Sequence, residues 1–373
     1  MEMKGYFDYA ATGVPYEEAL SVGYEFEKKH FSNPSAQHKL GKEAYEKFIT
    51  AKNRLCELCG FQSGRLLLGS NGSEMNNLVI ESFLKSESQK KILIAEDAHI
   101  SIWYAMDKYK DRVVKLNYTD ILNFESNSFS TLLDESIGLI CLSHVGNELG
   151  TLHPVKEIAF LCRQKGIQVH IDGAQALGHI PVKLDDIEFD SYSFSSHKFG
   201  ASKGCGGLFF NQSKFSSLIS GGQQEWGMRA GTQNVSACMS SVVALEKSLE
   251  KMDETNIKLV EYEKKIEEFL VAKSDFVLKN HPQNKVPGLL SFSFKGFSGS
   301  EIVTALSLEG IFLSTGSSCS ENKQKPSRHI KALGYTDEDA LGTIRISMGR
   351  LTNNESIILL LDSLNKILKT DLS

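Results

Sequence analysis

Ser191-Tyr192-Ser193-Phe194-Ser195-Ser196-His197-Lys198-Phe199-Gly200 alternates apolar and small polar residues, then meets a His-Lys pair and a glycine. Alternation of this kind marks a strand, and one whose polar positions are serines reads as the last strand of a buried sheet. Lys198 stands where that strand gives way to a loop rich in glycine, with Gly200, Gly204, Gly206 and Gly207. A lysine held there is rigid, partly desolvated and within reach of a ligand. Those conditions lower an amine's pKa and suit it to Schiff-base chemistry. A lysine taken alone is ordinarily a surface residue, so the functional reading depends on what the other strand ends carry.

Short apolar runs lie at 65–68, 92–95, 112–116, 137–143, 167–171, 189–195 and 207–210. Helical stretches at 73–86, 97–110, 154–165 and 233–252 fall between several of them. This rhythm predicts an α/β fold, a mostly parallel mixed sheet sandwiched by helices, with ligands at the carboxyl ends of the strands. Upstream, Asn33-Pro34-Ser35 predicts the start of a long helix with Leu40, Ala44, Phe48, Ala51, Leu55 and Leu58 inward and a stop at Gly60. Cys56 and Cys59 on this helix form a lone CxxC; with no second pair they read as core cysteines, and no metal site is expected.

After about residue 253 the rhythm changes. A charged amphipathic helix carries Ile257, Val260, Ile266, Phe269 and Leu270, with Glu261 to Glu268 as its solvated face. Strands are predicted at 289–294, 311–314 and 343–348, and a helix at 299–309. Thr352-Asn353-Asn354-Glu355 reads as a capping box opening the final helix. The expected division is a large α/β domain over 14–253 and a smaller α+β domain built from 1–13 and 254–373.

The chain has 373 residues, 41% hydrophobic and 23% charged, with a net charge of −5. Mild acidity argues against nucleic acid or an anionic membrane as partner. No apolar run reaches the length of a membrane span, and the opening Met-Glu-Met-Lys-Gly-Tyr lacks the hydrophobic stretch of a signal peptide. Seven scattered cysteines without disulfide-scaffold spacing point to a reducing, cytoplasmic setting.

Five strand ends carry candidate groups. Gly69-Ser70-Asn71-Gly72-Ser73-Glu74 joins a strand to a helix and offers backbone N–H groups, a hydroxyl and a favourable dipole to a phosphate. It is no Walker loop, because no Gly-Lys-Ser/Thr follows. His99 follows the strand at 92–95. His144-Val145-Gly146-Asn147-Glu148-Leu149-Gly150 puts polar groups directly after the most apolar strand, where a ligand would give them partners. Asp172-Gly173-Ala174-Gln175 ends the next strand in a carboxylate that burial would penalise without a cation. Lys198 comes one strand later. Phosphate cradle, buried carboxylate and lysine together fit pyridoxal 5′-phosphate, which needs a Schiff-base lysine and an acid holding its pyridine nitrogen protonated. Nicotinamide binding fits less well, since no G-x-G-x-x-G follows an early strand.

These residues resemble the cysteine desulfurases, in the class V aminotransferase group of fold-type I pyridoxal phosphate enzymes. The resemblance runs from Asp8-Tyr9-Ala10-Ala11-Thr12 to Gly349-Arg350. Asn33-Pro34-Ser35, the 144–150 segment, Asp172-Gly173-Ala174-Gln175, Ser195-Ser196-His197-Lys198, Arg229-Ala230-Gly231-Thr232, Thr315-Gly316-Ser317-Ser318-Cys319 and Ile344-Arg345-Ile346-Ser347 carry it most specifically.

It implies a Schiff base on Lys198, Asp172 at the pyridine nitrogen, Gln175 at the phenolic oxygen and His99 stacked on the ring. Gly72, Ser73, Ser195 and His197 would hold the phosphate, with Thr232 reaching in from the other subunit of a homodimer. Asn147 and Arg345 would grip the substrate carboxylate, a task suited to a guanidinium fork. Cys319 would be the nucleophile; its polar surroundings and the nearby Lys323 and Lys325 would favour a thiolate. The implied reaction turns L-cysteine into L-alanine and leaves a persulfide on Cys319 for a protein sulfur acceptor, in iron–sulfur cluster assembly or tRNA thiolation. The sequence departs from the family at Ala11-Thr12-Gly13, in the Gly69–Glu74 loop, and at Trp226, where a second arginine is common. Rival readings are a selenocysteine or cysteine-sulfinate lyase, a class V aminotransferase, and a non-catalytic scaffold in a sulfur-transfer complex.

Overall fold

The computed structural model describes residues 4–106, 108–211, 214–273, 275–315 and 326–370. They divide into two compact units, Val14–Val145 with His153–Glu250, and Met1–Gly13 with Gly146–Leu152 and Lys251–Ser373.

The first unit holds a seven-stranded sheet of β1 (Arg65–Gly69), β2 (Lys91–Ala95), β3 (Val113–Leu116), β4 (Ile137–Ser143), β5 (Gln168–Asp172), β6 (Ser191–Ser195) and β7 (Gly206–Phe210), in the order β1-β7-β6-β5-β4-β2-β3. The four pairings from β3 through β2, β4 and β5 to β6 are parallel, whereas β7 runs antiparallel to both β6 and β1. Every residue of β6 and β7 is buried, so both faces of the sheet are covered, as the sequence predicts. The helix Val235–Glu250 packs against the helices Glu17–Lys29 and Lys39–Leu58, and the helix Gly72–Ser86 packs on β6 and β7.

The second unit has an antiparallel sheet of β8 (Val277–Lys279), β9 (Leu289–Phe294) and β10 (Thr343–Ser347), ordered β10-β9-β8. Its core gathers Leu290, Phe292 and Phe294 from β9, Ile344 and Ile346 from β10, and Leu360 and Leu364 from the helix Asn354–Thr370.

Four local expectations are corrected. The helix expected from Asn33 begins at Lys39. Asn33 instead closes a turn, its Oδ1 accepting from the Ser35 N–H at 2.8 Å, and such side-chain bonds compete with helix. The helix expected over 97–110 is Ile100–Ala105, and the His99 ring, capping its first turn, sets where it starts. The strand expected at 311–314 is reduced to isolated bridges, Phe312 to Tyr6 and Ser314 to Arg345. In the last helix the cap is Asn353, whose Oδ1 accepts from the Ser356 N–H at 2.9 Å; Thr352 turns back to accept from the Gly349 N–H.

Candidate active site

The site of the first unit is assembled at strand ends. After β6, a 3₁₀ turn over Ser196–Phe199 carries His197 and Lys198 and stops at Gly200, whose φ of +88° is the left-handed conformation glycine adopts without strain. A Cβ there would also lie 2.9 Å from the Tyr16 ring and from the Val14 carbonyl. The Lys198 carbonyl accepts from His179 Nε2 at 3.2 Å, and burial pushes the His179 pKa down to about 4, so the ring stays neutral. The turn beneath Lys198 is thus tied at its backbone while its side chain is half-buried.

One strand over, Asp172 ends β5 in register with Ser193 of β6. Its carboxylate is 7% exposed, accepting from Asn76 Nδ2 at 2.8 Å and from the Ala174 N–H at 3.0 Å. No lysine or arginine pairs with it among the described residues. A buried carboxylate with neutral partners alone is held at a desolvation cost that a cationic N–H would offset. Gly173 after it is forced by packing: a Cβ would lie 1.9 Å from Tyr192 Cε1. Burial holds the Tyr192 phenol far above its usual pKa, so Tyr192 donates to His144 Nδ1 at 2.8 Å. His144 is itself pushed down to about 4, by burial and then by His153.

The helix Gly72–Ser86 points its N-terminus into the same cluster. Its cap is Asn71, whose Oδ1 accepts from the Glu74 N–H at 2.9 Å. The Gly72 N–H donates to Ser195 Oγ at 2.8 Å, joining the helix end to the end of β6. A Cβ on Gly72 would sit 2.9 Å from that hydroxyl. Ser73 is exposed beside it. Glu74 stays ionised: burial acts to raise its pKa, but the bonds from Arg229 and Ser70 outweigh this and lower it, and the Arg229 guanidinium balances its charge. Arg229 Nε reaches Glu74 Oε1 at 2.9 Å. His197 is pushed down to about 4, by burial first and then by Lys198 and Lys203.

His99 has its Nδ1 2.8 Å from Ser101 Oγ and accepting from the Ser101 N–H at 3.2 Å. A ring nitrogen that accepts leaves the proton on Nε2. Gln175 is buried in the turn after Asp172, and Thr232 is exposed before the helix Val235–Glu250.

The structure therefore brings Gly72, Ser195 and Asp172, with their immediate partners, into one bonded cluster of the first unit. Asn147 and Arg345 belong to the second unit. There the Arg345 guanidinium, 3% exposed on β10, donates to the Asn147 carbonyl at 2.8 Å and to Asp8 Oδ1 at 2.9 Å. Arg345 Nε and Asn147 Oδ1 are buried with no hydrogen-bond partner among the described residues. A buried donor and acceptor left open are what a zwitterionic ligand would satisfy. Glu148 stands next to Asn147; burial acts to raise its pKa, but His329 and Ser327 bring it down to about 2. Cys319 lies outside the described residues, with Gly316, Ser317 and Ser318.

Sequence reading did not single out Asn76 or Ser101, which join Asp172 to His99 through Nδ2 of Asn76. One signal was present: Asn76 falls one turn after Gly72, between Met75 and Val79 on the buried face, and a polar group there needs partners.

Residues 5–360 match the aminotransferase class-V family. The cysteine desulfurase IscS of Dictyoglomus turgidum is 31% identical, over 99% of this chain and 95% of its own length. The cysteine desulfurase NifS of Azotobacter vinelandii is 29% identical, over 94% of this chain and 89% of its own. A solved NifS-like protein superposes with a TM-score of 0.90 at 26% identity, covering 98% of this chain and 99% of the other.

Proposed function

The chain belongs to the cysteine desulfurases of the aminotransferase class-V family, and from that premise we propose that it converts L-cysteine to L-alanine with pyridoxal 5′-phosphate as cofactor and Cys319 as sulfur carrier. The observation that carries the cofactor is the Asp172 carboxylate, buried at a strand end with no cation paired to it among the described residues, one strand from Lys198. The residues fit the group. Asp172 would hold its pyridine N–H, Gln175 its phenolic oxygen, and Lys198 its carbonyl carbon. Gly72, Ser73, Ser195, His197 and the helix dipole would hold its phosphate, with Thr232 of a second copy completing a homodimer site. When bound, the group supplies an electron-withdrawing ring conjugated to the substrate nitrogen, which acidifies Cα and weakens the bond to sulfur.

The chain's own residues do the rest. Arg345 and Asn147 orient the substrate carboxylate. Lys198 Nζ, displaced by the substrate amine, accepts the Cα proton. His99, with Nδ1 engaged by Ser101, presents Nε2–H as a hydrogen-bond donor at the ring. The Cys319 thiolate forms an S–S bond to the substrate sulfur as the carbon–sulfur bond breaks; the electron pair left on Cβ takes a proton, and Lys198 returns one to Cα to give alanine. A protein acceptor takes the persulfide sulfur, for iron–sulfur cluster assembly or tRNA thiolation. Cytoplasmic work fits the free thiols of Cys56, Cys59, Cys141, Cys162, Cys205 and Cys238. Among the described residues no helix is long and apolar enough to cross a membrane.

The test is product analysis. Purified protein with pyridoxal 5′-phosphate and L-cysteine is expected to release alanine, and equimolar sulfide when a dithiol is added. Cys319→Ser should bind the cofactor with unchanged affinity and lose alanine formation from cysteine. Full turnover by Cys319→Ser removes the assigned carrier, and a keto-acid requirement turns the reading to an aminotransferase.

A further inference from the structure

We propose that Asn76 is a positioning residue that sets the Asp172 carboxylate and the His99 tautomer together. This rests on the reading of Asp172 and His99 as residues at the cofactor ring. Asn76 lies on the helix Gly72–Ser86 and is 1% exposed. Its Nδ2 donates to Asp172 Oδ2 at 2.8 Å and to Ser101 Oγ at 3.0 Å. Its Oδ1 accepts from Ser193 Oγ at 2.6 Å and lies 3.0 Å from His170 Nε2. A side-chain amide has two donors and two acceptor lone pairs, and all four are used.

The directions follow from that saturation. Asp172, as a carboxylate, only accepts, so the nitrogen of Asn76 must face it, and the oxygen must face Ser193 and His170. His170 Nε2 then carries the proton, and its Nδ1 accepts from Ser191 Oγ at 2.9 Å. His170 is neutral, since burial pushes its pKa down to about 4 against the pull of Asp172. On the other side, Ser101 Oγ accepts from Asn76, which sends its own hydrogen to His99 Nδ1. His99 Nδ1 thus accepts from the Ser101 hydroxyl as well as from the Ser101 N–H, which holds the proton on Nε2. One amide thus ties the group assigned to the pyridine nitrogen to the group assigned to the ring face. A filler asparagine would need satisfied bonds, but not bonds to these partners.

Asn76→Asp preserves the shape and reverses the donor. It sets a second carboxyl against Asp172 Oδ2, so the pair keeps one proton at neutral pH. Ser101 then turns its hydrogen to the new carboxylate, and His99 Nδ1 loses that donor. The titratable groups facing this cluster are Asp172, His170, His99, Tyr192 and His144.

The experiment labels histidine with ¹⁵N and records two-bond ¹H–¹⁵N spectra of apoprotein, so its outcome does not depend on turnover. Wild type should show His99 as the Nε2–H tautomer. Asn76→Asp, and Ser101→Ala as a second variant that leaves Asn76 in place, should each shift it part of the way toward a mixture, because the Ser101 N–H remains as the longer donor to Nδ1 at 3.2 Å. In the holoenzymes, the pH midpoint of the cofactor absorbance should shift in Asn76→Asp, and kcat/KM for cysteine should fall about tenfold, the scale of one lost buried hydrogen bond. An unchanged His99 tautomer in both variants, with kcat/KM within about twofold of wild type, overturns the proposal. Wild-type turnover is the separate control: its absence would sink the desulfurase reading and leave the tautomer result standing.

Discussion

The Gly72 N–H and Ser195 Oγ meet at 2.8 Å, so the first turn of one helix and the last residue of β6 form a single wall where the cofactor phosphate is proposed to sit. A methyl on Gly72 would stand 2.9 Å from the same hydroxyl, with the Phe194 carbonyl next at 3.5 Å. Gly72→Ala should weaken pyridoxal 5′-phosphate binding by about tenfold or more, the scale of an overpacked contact. Ser195→Ala loses one bond. The pair is informative together, because removing Oγ also removes the obstacle. Cofactor titration of the apoproteins should show Gly72→Ala/Ser195→Ala binding better than the two single losses predict by addition. Strict additivity would mean that the two residues do not share one contact.

Gly173 gives a harsher case. Its Cβ would lie 1.9 and 2.1 Å from two carbons of the Tyr192 ring, which is fully buried and bonded to His144. Gly173→Ala is expected to destabilise the protein by about 3 kcal/mol. Tyr192→Phe keeps the clashing carbons and should give no rescue. Urea midpoints of the single and double variants decide the matter, and rescue by phenylalanine would place the clash at the hydroxyl instead.

Much of this arrangement was legible in the sequence because buried strands leave few alternatives. The runs at 137–143 and 189–195 are too short and too β-branched or aromatic for buried helices, and β4 and β6 occupy them. Asp172 and Lys198 were placed at strand ends by the same reasoning. Elements settled by one side chain's choice of partner were less legible. Asn33 bonds its own turn, His99 caps a short helix, and Asn353 rather than Thr352 caps the last one. The helix Glu17–Lys29 buries only Ala19, Gly23 and Phe26, too thin a stripe to stand out among its charges. Asn76 was missed for a related reason: its role lies in four partners scattered from Ser101 to Ser193.

Buried neutral histidines predict an acid limit. His144, His170, His179 and His197 are each lowered from 6.5 to about 4, with burial the largest cause in every case. A base whose folded pKa is depressed binds protons in the unfolded chain first. Stability is therefore full above about 6.5 and falls as pH drops toward about 4. His179→Gln, which can still donate to the Lys198 carbonyl, should flatten that fall. Urea unfolding of both proteins at several pH values measures it. Parallel pH curves would show that His179 does not contribute.

Lys52 and Glu225 form a buried ion pair at 2.7 Å, with Lys52 Nζ also 4.4 Å from the centre of the Trp226 ring. Glu225 and Trp226 both hold left-handed backbone, φ 47° and 59°, and Glu225 Oε2 also accepts from the Leu68 N–H. That backbone is strained for such residues and persists because its side chains are tied down. Lys52→Met leaves a buried carboxylate without its cation and should cost about 3 kcal/mol or more. Lys52→Met/Glu225→Gln should recover part of the loss, since no charge is then stranded. Thermal melts of the three proteins test this; a double variant no more stable than Lys52→Met would argue that the strain, not the charge, dominates.

Arg345 offers the sharpest test of substrate recognition. Its fork is already braced by Asp8 and the Asn147 carbonyl, while its Nε–H is buried without a partner among the described residues. A lysine keeps the charge but has one nitrogen, so it can stay on Asp8 or reach a carboxylate, and not hold a planar two-point contact. Arg345→Lys should lower kcat/KM for L-cysteine by about 10-fold to 100-fold, the scale of one or two charge-assisted bonds, and leave cofactor affinity unchanged. Inhibition by L-alanine and by ethylamine separates this from general damage, because only L-alanine carries the carboxylate. The variant should lose affinity for L-alanine and retain whatever affinity wild type has for ethylamine. Equal losses for both would mean that Arg345 shapes the fold around β10 rather than gripping the substrate's acid group.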